Sequence, residues 1–158
     1  MSSSSYTAVL VGTDGSDSSF RAVDRAALIA RDAGAVLLIA CAYRPMSERE
    51  VRDAQAALGG ESYNVSGSTP AEVVLRDAAD RAAGLGVQKV ELEAVEGDAV
   101  DGLVQLVEDR AVDLVVVGNR GLNSLAGRML GSVPASLSHR ATCDVLVVHT
   151  TGRGAQHG

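Results

Sequence analysis

Five stretches of the chain are apolar almost without interruption, and segments of mixed character separate them. Ala8-Val9-Leu10-Val11 comes first; Ala35 to Ala42, Val87 to Val95, Leu114 to Val117 and Val145 to Val148 follow. Short apolar runs bounded by glycine or charge predict strands, and continuous ones predict burial on both faces, as parallel strands require. The third run differs, because Val90-Glu91-Leu92-Glu93 alternates and so predicts an edge position.

The intervening segments carry helical spacing. Phe20, Val23, Ala27 and Ala30 mark the first, with Ser16 as N-cap and Gly34 as stop. Thr69-Pro70-Ala71-Glu72 is a capping box with proline at the first helical position, opening a helix toward Gly84 or Gly86. Asp98 caps a third, whose Val100, Leu103, Val104, Val107 and Ala111 share one face, and Ser132 opens the last. Strands alternating with helices predict an α/β fold: an open, five-stranded parallel sheet with helices on both faces. One segment breaks the rhythm. Arg44 to Ser68 joins the second strand to the second helix, with Ser47-Glu48-Arg49-Glu50 as a possible short helix and flexible Gly59-Gly60 and Ser66-Gly67-Ser68. Such a length suits a binding lid or a mobile connection equally well. The domain is expected to span 6–150, with disordered termini at 1–5 and 151–158.

Composition narrows the classes. At 158 residues the chain is one domain long enough to bury a core, and 46% apolar content argues against disorder. Aromatics are 3% and Trp is absent, which removes the stacking platforms that single-stranded nucleic acid needs. A net charge of −6 argues against nucleic acid and membrane surfaces as partners. No basic and apolar leader and no membrane-length apolar run is visible, so a cytoplasmic location is expected. Cys41 and Cys143 both lie in strand-like runs and read as small buried residues of a reducing compartment.

The candidate chemistry lies beyond two strand ends. The first gives Gly12-Thr13-Asp14-Gly15-Ser16; the fourth gives Gly118-Asn119-Arg120-Gly121, then Gly131-Ser132 before a helix. Glycines let a ligand approach backbone N–H groups, and a helix start offers unpaired donors and the positive end of a dipole. Together these read as a cradle for a phosphorylated ligand. Asp14, being acidic, would meet a sugar hydroxyl, a base amino group or a metal; before Gly15 it also suits an Asx-turn. No Walker A ending, no G-x-G-x-x-G after the first strand and no zinc spacing is present.

Gly118-x2-Gly121-x9-Gly131-Ser132, with Asp14 after the first strand, closely resembles the nucleotide-binding universal stress proteins. The opening Val9 to Ser16 and the closing Cys143 to Val148 are similar to that family too, so the resemblance covers roughly residues 6 to 150. It implies strand order 3-2-1-4-5 and binding of ATP, with AMP or cyclic AMP as the alternative adenine nucleotides and Mg2+ as a possible companion. It further implies that Asp14 sits by the nucleoside, that residues near Cys41 border the base, and that Gly118, Gly121, Gly131 and Ser132 enclose ribose and phosphates, with Gly12, Thr13, Val117 and Val133 included in the binding set beside them. Arg120 and Arg128 join the set on charge alone, as cations able to offset phosphate in an acidic protein. Tyr43 either flanks the base or caps the core; His139, His149 and His157 are unclustered and read as structural.

A regulatory nucleotide-binding protein is the leading reading. The alternative is a slow ATPase or self-phosphorylating enzyme. General acid–base catalysis needs a group placed on the attacking oxygen, and no Asp, Glu or His lies between Gly118 and His139. In the implied order the last strand is an edge whose centre, Val145-Leu146-Val147-Val148, carries neither charge nor proline. A homodimer through that strand, antiparallel across a two-fold axis, closes both edges at once.

Overall fold

The computed structural model describes residues 5–44, 69–119 and 132–150 together with Arg49, Arg52 and Asp53, and strands alternate with helices among the elements it places there. They are β1 (Ala8–Gly12), α1 (Asp17–Ala33), β2 (Val36–Tyr43), α2 (Thr69–Gly84), β3 (Val90–Glu96), α3 (Ala99–Asp109), β4 (Leu114–Gly118), α4 (Ser132–Arg140) and β5 (Asp144–Val148). All strand pairs are parallel, in the order β3-β2-β1-β4-β5. The sheet and its order are therefore as the sequence and its resemblance imply, with β3 and β5 at the edges.

Two strands start later than the apolar runs suggest, and one cause serves both. The N–H of Ala35 donates to Ala30 O and that of Val87 to Ala82 O, so these residues still close the preceding helices. The ladder begins only once the backbone is free of the helix end. The caps at Ser16, Gly34 and Asp98 fall where the sequence puts them, while the capping box assigned to Thr69 lies outside the described side chains. Ser16 Oγ accepts from the N–H of Ser19, Gly34 turns left-handed at φ 69°, and the Asp98 carboxylate accepts from the N–H of Asp101 at 2.9 Å. The hydroxyl cap assigned to Ser132 lies outside what the structure describes.

Two layers of helix enclose the sheet. Over one face lie α1 and α2, packed on Val9, Val11, Leu37, Ile39, Leu114 and Val116; over the other lie α3 and α4, on Leu10, Leu38, Val115 and Val117. The inner stripe of α1 is Ala22, Val23, Ala26, Ala27 and Ala30, all fully buried, so small side chains let the helix sit close on the sheet. Arg81 of α2 fastens the two helices of that face. It forks onto both Asp24 oxygens, at 3.0 and 2.6 Å, and lies 5.1 Å from the Phe20 ring centre. At the base of the sheet the Asp113 carboxylate accepts from the N–H groups of Thr7 and Ala8, tying the start of β1 to β4. No helix among the described residues is long and apolar enough to cross a membrane.

Candidate functional site

Register decides which strand ends meet. Val11 pairs with Val116 and Gly12 with Ala40, so the residues following β1 leave the sheet between the ends of β4 and β2. That is where the strand order reverses, the usual crevice of an open α/β sheet.

The β1 exit is held by its own hydroxyls. Thr13, 1% exposed, donates its N–H to Ala40 O at 2.9 Å and pairs its Oγ1 with Ser19 Oγ at 2.7 Å. Gly15 N–H donates to Thr13 Oγ1, and Asp14 N–H to Ser19 Oγ. Asp14 Oδ1 accepts from the N–H of Ser16 at 3.0 Å, so the Asx-turn is formed. Its second oxygen makes no hydrogen bond within the described residues. The side chain is thus clamped by one oxygen and free at the other, half-buried at the mouth of the crevice. Gly15 has φ +86°, and a Cβ there would come 2.8 Å from Val74 Cγ2, so this turn requires glycine for backbone and packing alike.

Cys41 lies in β2 on the same side. Burial and then the negative charge of Asp14 push its thiol up to about 11, so it is a neutral, poorly nucleophilic wall at neutral pH. Both cysteines are free thiols, Cys41 buried and Cys143 partly so. Tyr43 packs against the core cluster under α1 and α2, which favours the capping side of its two readings.

The β4 exit is held differently. Val117 is fully buried and Gly118 ends the strand; Asn119 N–H then donates to Val148 O at 2.8 Å. A Cβ on Gly118 would lie 3.2 and 3.3 Å from Thr150 Cγ2 and Oγ1. Gly118 therefore has a packing reason to be glycine that needs no ligand. Ser132 and Val133 open α4, whose Val133 side chain is buried against the second core cluster. Val117 and Val133 could consequently offer a ligand their backbone only. Arg120, Gly121, Arg128 and Gly131 lie outside the described residues.

Sequence reasoning missed Ser18, Ser19, Arg21, Asn119 and Thr150, which knit the two exits together. Ser18 Oγ and Thr150 Oγ1 are 2.6 Å apart, and Arg21 Nη1 donates to Thr150 O at 2.6 Å. Asn119 Oδ1 accepts from both the N–H and the hydroxyl of Thr150, at 2.8 and 3.0 Å. The only available signal was Asn119 next to a strand-ending glycine, a residue type prone to side-chain-to-backbone bonding. Among the described residues no cluster of His, Cys, Asp or Glu could hold a metal ion. Asp14 is a carboxylate at this strand exit that could meet a ligand-borne cation.

Known proteins match this chain over nearly its whole length. The profile of the universal stress protein family covers residues 5–149. A universal stress protein of Mycobacterium tuberculosis H37Rv is 55% identical over 150 residues, spanning 94% of this chain and 99% of that one. A crystal structure of a universal stress protein in complex with cAMP superposes with a TM-score of 0.72 at 45% identity, covering 94% of this chain and 100% of the other. The fold alone extends further, to the Lactobacillus plantarum UspA structure at 22% identity and a TM-score of 0.71, over 91% and 98% of the two chains. By sequence profile and identity over almost every residue, the chain belongs to the universal stress protein family.

Proposed function

We propose that the chain binds an adenine nucleotide in the crevice between the β1 and β4 exits and acts as a regulatory protein in stress response. The observation that carries this reading is Asp14, fixed by one oxygen and, among the described residues, without a hydrogen bond at the other, beside the neutral Cys41 at the strand-order reversal. A fixed free carboxylate oxygen suits a ribose hydroxyl or an exocyclic amine, and a protonated thiol suits the face of a base. By the spacing of the sequence, Gly118, Gly121, Gly131 and Ser132 would serve the phosphate, with Arg120 and Arg128 as the cations assigned to it.

Cyclic AMP is the first ligand to test, because the 45% identical protein of known structure is described as its complex. Charge supports that choice. A protein of net charge −6 holds a singly charged phosphodiester at less electrostatic cost than a triphosphate. ATP, with Mg2+ screening its phosphates, and AMP are the other candidates. Hydrolysis is expected to be slow at most, since the sequence offers no Asp, Glu or His between Gly118 and His139 to act on the attacking oxygen. A cytoplasmic homodimer joined along β5 completes the reading, supported by the bare Val147 on that edge, 45% exposed.

Asp14→Asn keeps the oxygen that closes the turn and replaces the free one with an amide. Calorimetry with cyclic AMP, AMP and ATP should show about tenfold weaker binding of the preferred ligand, the worth of one charge-assisted hydrogen bond. Equal affinity for both proteins would leave Asp14 a turn residue only. A wild type that binds none of the three would overturn the nucleotide reading itself.

A further inference from the structure

We propose that Thr150 is a positioning residue for nucleotide binding: from beyond the edge strand it fixes the Gly118–Asn119 turn against the start of α1. The proposal rests on the nucleotide-binding reading above.

Thr150 lies two residues past β5 and is 0% exposed, yet its polar atoms are all engaged. Its N–H and hydroxyl both donate to Asn119 Oδ1, and its carbonyl accepts from Arg21. The hydroxyl has one proton, which goes to Asn119, so Ser18 is the donor in the 2.6 Å contact between the two hydroxyls. The result is a relay from Ser18 through Thr150 to Asn119. Each end of it belongs to one half of the candidate site. Ser18 lies in the first turn of α1, next to the Ser16 and Ser19 that hold Asp14. Asn119 is the first residue after β4, and its backbone N–H is already committed to Val148 O. Thr150 also sits in close contact with the space where Gly118 lacks a side chain.

The choice of threonine carries the argument. Valine has the same shape, would fill the same space and would need no partners. A buried hydroxyl is kept only where its hydrogen bonds are made, and among the described residues these run between the two exits. A ligand bridging both exits gains from having them pre-set, because ordering them on binding would subtract from its affinity.

Thr150→Val removes the hydroxyl and leaves Ser18 and Asn119 each one partner short. At a temperature where the variant is fully folded, cyclic AMP binding should weaken about tenfold, the scale of one or two hydrogen bonds. Thr150→Ser, which restores the hydroxyl, should return affinity to within about threefold of wild type. Asn119→Ala combined with Thr150→Val should bind as weakly as either alone, since both cut the same relay. Unchanged affinity in folded Thr150→Val, or a Thr150→Ser as weak as the valine, would overturn the proposal. Amide exchange gives a readout independent of ligand: the N–H groups of Asn119 and Thr150 should exchange about tenfold faster in Thr150→Val, with α2 and α3 unchanged. Unchanged exchange there would refute the latch even if binding fell. If wild type binds cyclic AMP, AMP and ATP not at all, the nucleotide reading fails and takes the positioning role with it.

Discussion

Along β3, the strand at one edge of the sheet, glutamates alternate with apolar residues; along β5, at the other edge, the single charge is Asp144 at the start. Both edges bare an apolar side chain to nearly the same degree, 42% exposure for Leu92 and 45% for Val147. Exposure therefore does not separate them, whereas charge does. Glu91 and Glu93 both reach the Arg110 guanidinium just past α3, which fixes two charges along the β3 edge. An edge of that kind resists a second strand, because pairing would strip water from fixed charges. Nothing comparable lies within the centre of β5. Guarding one edge and leaving the other plain among the described residues would suit a sheet that pairs once and then stops, as the proposed homodimer requires.

The strongest way to break this contrast is Val147→Lys. If β5 pairs with its copy across a two-fold axis, one substitution puts two ammonium groups in one seam, and dimer dissociation should rise about a hundredfold or more. Sedimentation velocity over the micromolar range measures it, with Leu92→Lys as the control that should leave assembly unchanged. A wild type that is monomeric across that range would remove β5 as a seam. Stripping the guard from the other edge comes next. Glu91→Val with Glu93→Val should let β3 pair as well, so light scattering should detect species larger than a dimer. Persistence of a clean dimer would mean that strand geometry, not charge, protects that edge. The smallest effect belongs to Arg110→Ala. Its partners are about a third exposed and solvent screens them, so urea unfolding should show a loss of about 0.5–1 kcal/mol. A loss of several kcal/mol would make the clamp a structural support of β3 instead of a guard.

Much of the fold was legible because its signals are local. Ser16, Gly34 and Asp98 cap helices through bonds to residues three or four positions away, and those choices are visible in any short window. The edge character of β3 was readable from Glu91 and Glu93 alone. Strand order was not, since no local feature of β1 says that β4 will lie beside it; that came with the family resemblance. At the site, Asp14 was legible as a turn residue, and the Asx-turn is formed through one oxygen, which leaves the proposed ligand contact to the other. Gly118 was read as space for a ligand, and the structure shows that Thr150 occupies its bare side. Thr150 itself was invisible. It follows the last apolar run like any residue of a tail, and its partners Ser18 and Asn119 are 132 and 31 positions away.

The burial of Thr150 also bears on where the polypeptide can be cut. A protease trimming the tail, or an expression boundary drawn at Val148, would leave all five strands whole. It would nevertheless delete the side chain that closes the end of β4 and would strip Arg21 of its carbonyl partner. Such a fragment should still express, fold and scatter light like the parent while holding nucleotide poorly. On this account, the shortest fragment that keeps the fold should be shorter than the shortest that keeps the site.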